Sequence, residues 1–325
     1  MDRKTAVIIL AGGKGTRMHS KKNKLLHKIL GRELIRFPVE AAENVEAEKI
    51  ILVVGPHNQK EIKSLLRDRV DYVLQKEALG TAHAVWQAEP LLEGFTGETF
   101  VIVGDSPYIS GEILKKLLNF HRENKAALTL ISSVFENPPA YGRIIKDEKG
   151  FVKKVVEEID ASEEEKKIKE VNSSYYCFTW EKIAPLLHKI DINQKKGEYY
   201  LTDIVEIAYN AGLKTLALKI DDPLLTKGIN SRADLSEAAK YFSMKNINAL
   251  EETGVTFFGK ETITVEFNVR IGKDTVIHPC TYLGENTEIG KNCEIGPFVY
   301  LKNAKIPSGT KLSYAKIEGG HEYEG

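Results

Sequence analysis

Between residues 265 and 301 an aliphatic side chain returns at every sixth position: Val265, Ile271, Ile277, Leu283, Ile289, Ile295 and Leu301. Repetition this strict demands short strands with one inward aliphatic residue each, stacked coil on coil into a continuous core, which is a β-solenoid. Several of these residues are followed at once by glycine, as in "IGKDTV", "LGENTE" and "IGKNCE", and glycine is expected to turn each corner. After Leu301 the spacing slips through Ile306, Leu312 and Ile317. At about three units per coil the solenoid is only a few coils long.

The first half of the chain follows a different rule. Short β-branched runs alternate with amphipathic stretches: "TAVIIL" with "ELIRFPVEAAEN", "KIILVVG" with "NQKEIKSLLRD", "VDYVLQ" with "TAHAVWQAEPLL", and "TFVIVGD" with "GEILKKLLNFHREN". Parallel strands need long return connections and cover on both faces, so this alternation predicts an α/β fold with a doubly wound, mostly parallel sheet. From Tyr141 the pattern changes to two strand-like runs around "KDEKG", which suits an antiparallel insertion over the sheet edge. "GEYYLTDIVEIAYNAG" reads as a helix closed by Gly212, and "SRADLSEAAKYFSMKNINALEE" as a long helix with Ser231 and Asp234 in capping-box positions. The expected organisation is a domain over 1–230, a linking helix over 231–253, and the solenoid over 254–325.

Charge and cysteine usage narrow the class of function. Lysine plus arginine equals aspartate plus glutamate, 46 each, so no global field draws the chain to nucleic acid or to an acidic membrane. The opening apolar run is far shorter than the roughly 20 residues that span a bilayer and lacks a cleavage pattern, so a cytoplasmic protein is expected. Cys177, Cys280 and Cys293 form no CxxC, which argues against a disulfide framework or a thiolate zinc site.

Any anion site must therefore be local, and "LAGGKGTRM", Leu10 to Met18, is where to look. It follows the first strand, at the edge where ligands bind in doubly wound sheets. Gly12, Gly13 and Gly15 permit close backbone approach, so amide N–H groups can face phosphate oxygens or a base edge. The dinucleotide fingerprint fails at Met18, and "GKGTR" is not a P-loop. A nucleotide loop with Lys14, Arg17 and Lys24 near the phosphates remains, beside the bland reading of a tight turn. Asp105 closes the fourth strand in "FVIVGDSPYI" and puts a carboxylate at the same edge, either as a metal ligand or as an ordinary turn aspartate.

"LAGGKGTRM", "KNKLLHKILGREL", "LQKEALGTAHAV", "VGDSPYI", "YGRI", "VVEEIDAS", "EVNSS", "GEYYLTDI" and "KGINSRADLS" come in the order and at the approximate spacing of the sugar-nucleotide pyrophosphorylases. Over essentially its whole length the chain resembles this family, most closely its N-acetylglucosamine-1-phosphate uridyltransferase branch followed by a hexapeptide helix. The resemblance implies a Rossmann-like nucleotidyltransferase domain, a left-handed β-helix, and UMP transfer from UTP to a sugar-1-phosphate with Mg²⁺ as cofactor. It implies that Leu10, Ala11, Gly12, Gly13, Gln75, Gly80 and Thr81 hold the nucleotide, and that Arg17 and Lys24 neutralise the phosphates. It also implies that Asp105 and Asn230 share the metal, and that Gly142, Glu157, Asn172 and Tyr199 or Thr202 hold the sugar. Glu157, Asn172 and Asn230 each have a plain alternative, as a solvated face, a strand-end turn residue and a helix-flanking residue. His27 and His83 are read as structural.

The family's usual alanine is Gly12 here, the proline before its lysine is Asn23, its tyrosine before the metal aspartate is Val103, and its "NTG" is Asn172-Ser173-Ser174. Base and sugar are thus less constrained than the reaction, and a glucose-1-phosphate uridylyl- or thymidylyltransferase stays open. So does a non-catalytic regulatory subunit, which would have lost the phosphate cations or metal ligands. With so short a β-helix no acetyl transfer is expected, and the helix is a cap or an oligomer interface, a trimer being one possibility.

Overall fold

The computed structural model describes residues 3–319; the outermost ends of the ranges called above, residues 1–2 and 320–325, lie outside the described residues. Two compact units emerge, one containing the residues up to Leu26 and Leu34–Asn230, the other His27–Glu33 and the residues from Ser231 onward.

The first unit is built on one twisted sheet. Its strands are β1 Lys4–Ala11, β2 Lys49–Val54, β3 Asp71–Leu74, β4 Gly97–Val103, β5 Leu128–Val134, β6 Arg143–Lys146, β7 Val152–Val156, β8 Glu170–Thr179 and β9 Thr215–Lys219. The order is β9-β5-β8-β4-β1-β2-β3, with β6 paired to β8 and β7. The neighbours β4, β1, β2 and β3 run parallel, while β8 runs antiparallel between β4 and β5. β1 shows why the centre is parallel: Ala6, Val7, Ile8 and Ile9 are all 0% exposed, as a strand covered on both faces requires. The cover comes from helices including α1 Arg36–Asn44, α2 Gln59–Leu66, α3 Thr81–Ala88, α4 Gly111–Glu123, α5 Trp180–Leu187 and α6 Ile204–Asn210.

The chain steps outward from β1 through β2 to β3 and then returns to place β4 on the other side of β1. The crevice beyond the carboxyl ends of β1 and β4 is therefore the switch point of the sheet, the place where open α/β sheets bind ligands. The antiparallel insertion expected after Tyr141 is the β6–β7 hairpin. The segment "GEYYLTDIVEIAYNAG" departs from the expected helix. Glu198–Tyr199 pairs with Ile192–Asn193 as a short hairpin, Leu201–Asp203 is a tight turn, and α6 begins only at Ile204.

In the second unit α7, Arg232–Glu251, begins with the expected capping box between Ser231 and Asp234. It is more than a link: Ile247 is 0% exposed in the core of this unit, and Ser243 and Asn246 bond to the backbone of Val265 and Glu266. The hairpin of Lys28–Ile29 with Arg32–Glu33 also belongs to this unit, which no sequence feature announced.

The six-residue repeat folds into three parallel sheets, the arrangement of a left-handed parallel β-helix. Val265, Leu283, Leu301 and Ile317 stack in one, Ile271, Ile289 and Ile306 in the second, and Phe257, Ile277, Ile295 and Leu312 in the third. The corners correct the expectation about glycine. Glycine takes only some of the left-handed backbone positions, among them Gly259, Gly296 and Gly309; Asn268, Asp274, Cys280, Asn286, Asn292 and Phe298 take others, and asparagine and aspartate tolerate that region through their short polar side chains. The glycines that follow the aliphatic residues stand where successive coils touch. A Cβ on Gly272 would lie 2.7 Å from the Gly290 carbonyl carbon and the Lys291 nitrogen.

Gly272→Ala therefore forces two coils of backbone apart and is expected to destabilise the second unit by about 1–3 kcal/mol. Urea unfolding measures this, and an unchanged midpoint would contradict the close-contact role.

Candidate active site

The glycine loop leaves β1 at Ala11 and is held from below by the loop after β2. Asn58, 1% exposed, donates through Nδ2 to the Ala11 carbonyl at 2.8 Å, and its Oδ1 accepts the Gly55 N–H at 3.0 Å. A buried carboxamide satisfied at both ends is a rigid brace. His57 Nε2 lies 3.3 Å from the Gly13 carbonyl. Asn58 was not singled out from the sequence; its role is a long-range contact without a local pattern.

Leu10, Ala11, Gly12, Gly13, Gln75, Gly80 and Thr81 all line one cavity of about 260 Å³, together with Lys24 and Asp105. Gln75, buried at the end of β3, donates to the Gly80 carbonyl at 3.0 Å and stands 3.1 Å from His83 Nδ1. Its Oε1 occupies the space that a methyl group on residue 12 would need, 2.7 Å away. Gly12 is thus matched to this pose of Gln75. Thr81 Oγ1 accepts the Leu201 N–H at 2.9 Å, fastening the Tyr200–Thr202 segment beside the cavity.

The charged groups meet at the switch point. Gly104 N–H donates to the Leu10 carbonyl at 2.9 Å, extending the β1–β4 pairing one residue past the strands, and Asp105 follows. The Ile229 N–H bonds to the Asp105 carbonyl at 2.9 Å, bringing Asn230 alongside. Gly228 permits that approach, since its Cβ would already lie 3.3 Å from Asp105 Oδ1. Lys24 Nζ pairs with Asp105 Oδ2 and lies 3.4 Å from Asn230 Oδ1, and Arg17 donates to the same Asn230 oxygen at 2.9 Å. Gly15, at φ 64°, lets the Lys24 stem pass, because a Cβ there would sit 2.7 Å from Lys24 Cβ. Lys14 is exposed on the loop.

Two side-chain oxygens from residues far apart in sequence therefore converge on one cationic nitrogen. That donor set suits a hard cation such as Mg²⁺, which binds through one or two protein oxygens and takes its remaining ligands from phosphates and water. Among the described residues no group of three or more His, Cys, Asp or Glu side chains could hold a metal.

A second cavity of about 440 Å³ adjoins the first, and Leu10, Thr81, Val103 and Glu198 line both. Glu157 and Thr202 line it and bond to each other at 3.0 Å. Burial pushes the Glu157 carboxyl above its ordinary range, against the pull of the Thr202 hydroxyl. Gly142 lies beside them, with its Cβ position 3.6 Å from Glu157 Oε1. Asn172 stands behind the wall: its Nδ2 donates to the Tyr176 hydroxyl at 2.7 Å, and Tyr176 lines the cavity. Tyr199 turns away, its ring packed on Trp86 with centroids 4.8 Å apart, while Glu198 and Tyr200 face inward. Because this stretch is extended rather than helical, residues 198 and 200 share a side; reading its alternation would have found them.

Next to the cavity residue Thr202 stands a group under electrostatic load. Asp203, half-buried, is pushed up to about 6 by burial and by the neighbouring carboxylates of Glu157, Glu206, Asp160 and Asp191. Its ionisation costs more in the folded chain than in the unfolded one, so folded stability falls as pH rises from about 4 to about 6. Asp203→Asn is expected to raise the melting temperature above about pH 6 and to have little effect near pH 4. Melting curves at both pH values test this, and an equal effect at both would contradict it.

The four side chains whose loss would mark a non-catalytic relative, Arg17, Lys24, Asp105 and Asn230, thus meet at one point. Comparison with known proteins gives the family. The chain matches the family model described as nucleotidyl transferase over residues 6–223 and the one described as bacterial transferase hexapeptide (six repeats) over residues 268–312. A protein of Brevibacillus brevis named "Bifunctional protein GlmU" is 39% identical over 312 residues, covering 96% of this chain and 68% of that relative. The protein of the same name from Thermoanaerobacter pseudethanolicus is 42% identical over 311 residues, covering 95% and 67%. These relatives are longer than the present chain.

Proposed function

The chain belongs to the nucleotidyl transferase family and is a sugar-1-phosphate nucleotidyltransferase homologous to GlmU proteins; from that premise we propose that it transfers UMP from UTP to N-acetylglucosamine-1-phosphate, releasing pyrophosphate. The observation that carries the reading is the meeting of Lys24, Arg17, Asp105 and Asn230, of which Lys24 and Asp105 line the cavity of the glycine loop, with a second cavity adjoining it. The first cavity takes the uridine, with Gln75 and the Gly80–Thr81 backbone at the base and Leu10–Gly13 beneath it. The second takes the sugar, whose hydroxyls have acceptors in Glu157 and Glu198 and partners in Thr202 and Tyr200.

With both substrates so placed, the phosphates are proposed to lie beside Lys24 and Asp105 in the first cavity. A phosphate oxygen of the sugar-1-phosphate attacks the α-phosphorus of UTP, and the bond from that phosphorus to the bridging oxygen breaks, its electron pair leaving with pyrophosphate. No covalent enzyme intermediate is required, so the protein contributes positioning and charge stabilisation. Lys24 and Arg17 neutralise the negative charge that grows on the phosphate oxygens. Asp105 and Asn230 would hold Mg²⁺, which when bound supplies further neutralisation of the triphosphate. Asn58 and Gly15 act earlier, by fixing the loop and the path of the Lys24 stem.

Of the described residues, no helix is long and apolar enough to cross a membrane. A homotrimer through the β-helix and a cytoplasmic setting complete the proposal, with uridylyl transfer and no acetyl transfer as the activity of these 325 residues.

Purified protein with Mg²⁺, UTP and N-acetylglucosamine-1-phosphate is expected to release pyrophosphate, and Asp105→Ala to lower the rate by at least about a hundredfold. Faster release with glucose-1-phosphate or dTTP would move the protein to a sister specificity while keeping the mechanism. No release with any pair would overturn the proposal. Acetyl-CoA with glucosamine-1-phosphate is expected to be left unconsumed; acetylation would contradict that part.

A further inference from the structure

Lys24 and Arg17 both rest on the pair of oxygens assigned to the metal. Lys24 Nζ bridges Asp105 Oδ2 and Asn230 Oδ1, and Arg17 holds Asn230 Oδ1 from the other side. The Lys24 and Asp105 side chains are only 12% and 20% exposed, so this ion pair is partly withdrawn from water and screened less than a surface pair. A divalent ion arriving at the same oxygens would stand within a few ångströms of the ammonium and be repelled by it.

We infer that Lys24 is a placeholder for the metal, holding Asp105 and Asn230 together in the nucleotide-free protein and handing them over only when a triphosphate offers the ammonium new partners. The direction of the handover is visible in the packing. The Lys24 stem lies over Gly15, with the Gly15 Cβ position 2.7 Å from Lys24 Cβ and 3.4 Å from its Cδ, and Lys24 lines the same cavity as Gly12 and Gly13. A swing of its flexible four-carbon stem carries the ammonium from the oxygen pair toward the glycine loop, where the phosphates are proposed to lie. Arg17 is exposed and free to follow. The metal alone therefore binds weakly, the metal and UTP strengthen each other's binding, and by linkage the strengthening is the same in either order. Lys24 acquires a role before the chemistry, as the group that makes metal binding conditional on nucleotide.

The inference rests on the metal assignment proposed above, and its test separates the two. Mn²⁺ binding is titrated by electron paramagnetic resonance on the full chain and on Lys24→Met, each with and without UTP. Without UTP, Lys24→Met is expected to bind Mn²⁺ at least about tenfold more tightly than the parent, because the competing ammonium is gone. The gain in Mn²⁺ affinity on adding UTP is expected to be smaller in Lys24→Met than in the parent. Lys24→Gln, which keeps a polar side chain without charge, is expected to behave as Lys24→Met, and a melting curve of each variant verifies folding. If Mn²⁺ binds the parent with UTP and Lys24→Met or Lys24→Gln binds it no more tightly without UTP, the placeholder role is overturned while the metal assignment stands. If Mn²⁺ binds neither protein under any condition, or binds Asp105→Asn as well as the parent, the metal assignment falls and the inference with it.

Discussion

The parallel pairing of β1 with β4 decides where every charged group of the site can stand. Leu10 is aligned with Val103, and one further hydrogen bond from Gly104 to Leu10 brings the two chain ends together just where the glycine loop begins and Asp105 follows. Hydrophobic burial drives that pairing, through Val7, Ile8, Ile9, Phe100 and Ile102 at 0% exposed. The polar site is thus positioned by an apolar register: a slip of one residue would exchange the two buried faces of β1, break the packing on both, and shift Asp105 relative to the loop that brings Lys24.

Around this pairing the site is completed by segments that arrive from far along the chain. Asn58 braces Ala11 from the β2 loop, Asn230 is delivered by a backbone bond to Asp105, and Leu201 is fastened by Thr81. None of these contacts is strong alone, since a typical hydrogen bond adds about 1 kcal/mol net. Together they leave Lys24 with one well-defined resting place, and that place coincides with the oxygens that suit a hard cation. Two cationic side chains on one carboxylate and one neutral carboxamide leave the cluster with a net positive charge, which favours the arrival of a polyanion together with its metal.

Much of this was legible in the sequence, for physical reasons that differ from residue to residue. The alternation of β-branched and amphipathic runs gave the sheet, because burial on both faces leaves an apolar run that local reading detects. Gly12, Gly13 and Asp105 were legible because they close such runs, and strand ends are where the chain reaches the ligand edge. Asn230 came only through resemblance, since it is brought to the site by the backbone bond of its neighbour Ile229 to Asp105, far away in sequence. Tyr199 came only through the resemblance; pairing with Ile192–Asn193 keeps this segment extended, and Glu198 and Tyr200 line the second cavity instead. The solenoid repeat is legible in its aliphatic residues and less so in its glycines: those such as Gly272 stand at coil contacts, while Gly259, Gly296 and Gly309 share the left-handed positions with asparagine and aspartate.

The central claim is that Asp105 and Asn230 form one cation site between the nucleotide loop and the sugar cavity. Anomalous diffraction from crystals grown with Mn²⁺ and UTP tests it most directly. The account predicts a single Mn²⁺ peak within coordinating distance of Asp105 and Asn230, with the Lys24 ammonium moved onto the phosphates. A peak elsewhere in the first unit, or Lys24 still seated between the two oxygens beside bound nucleotide, would contradict it.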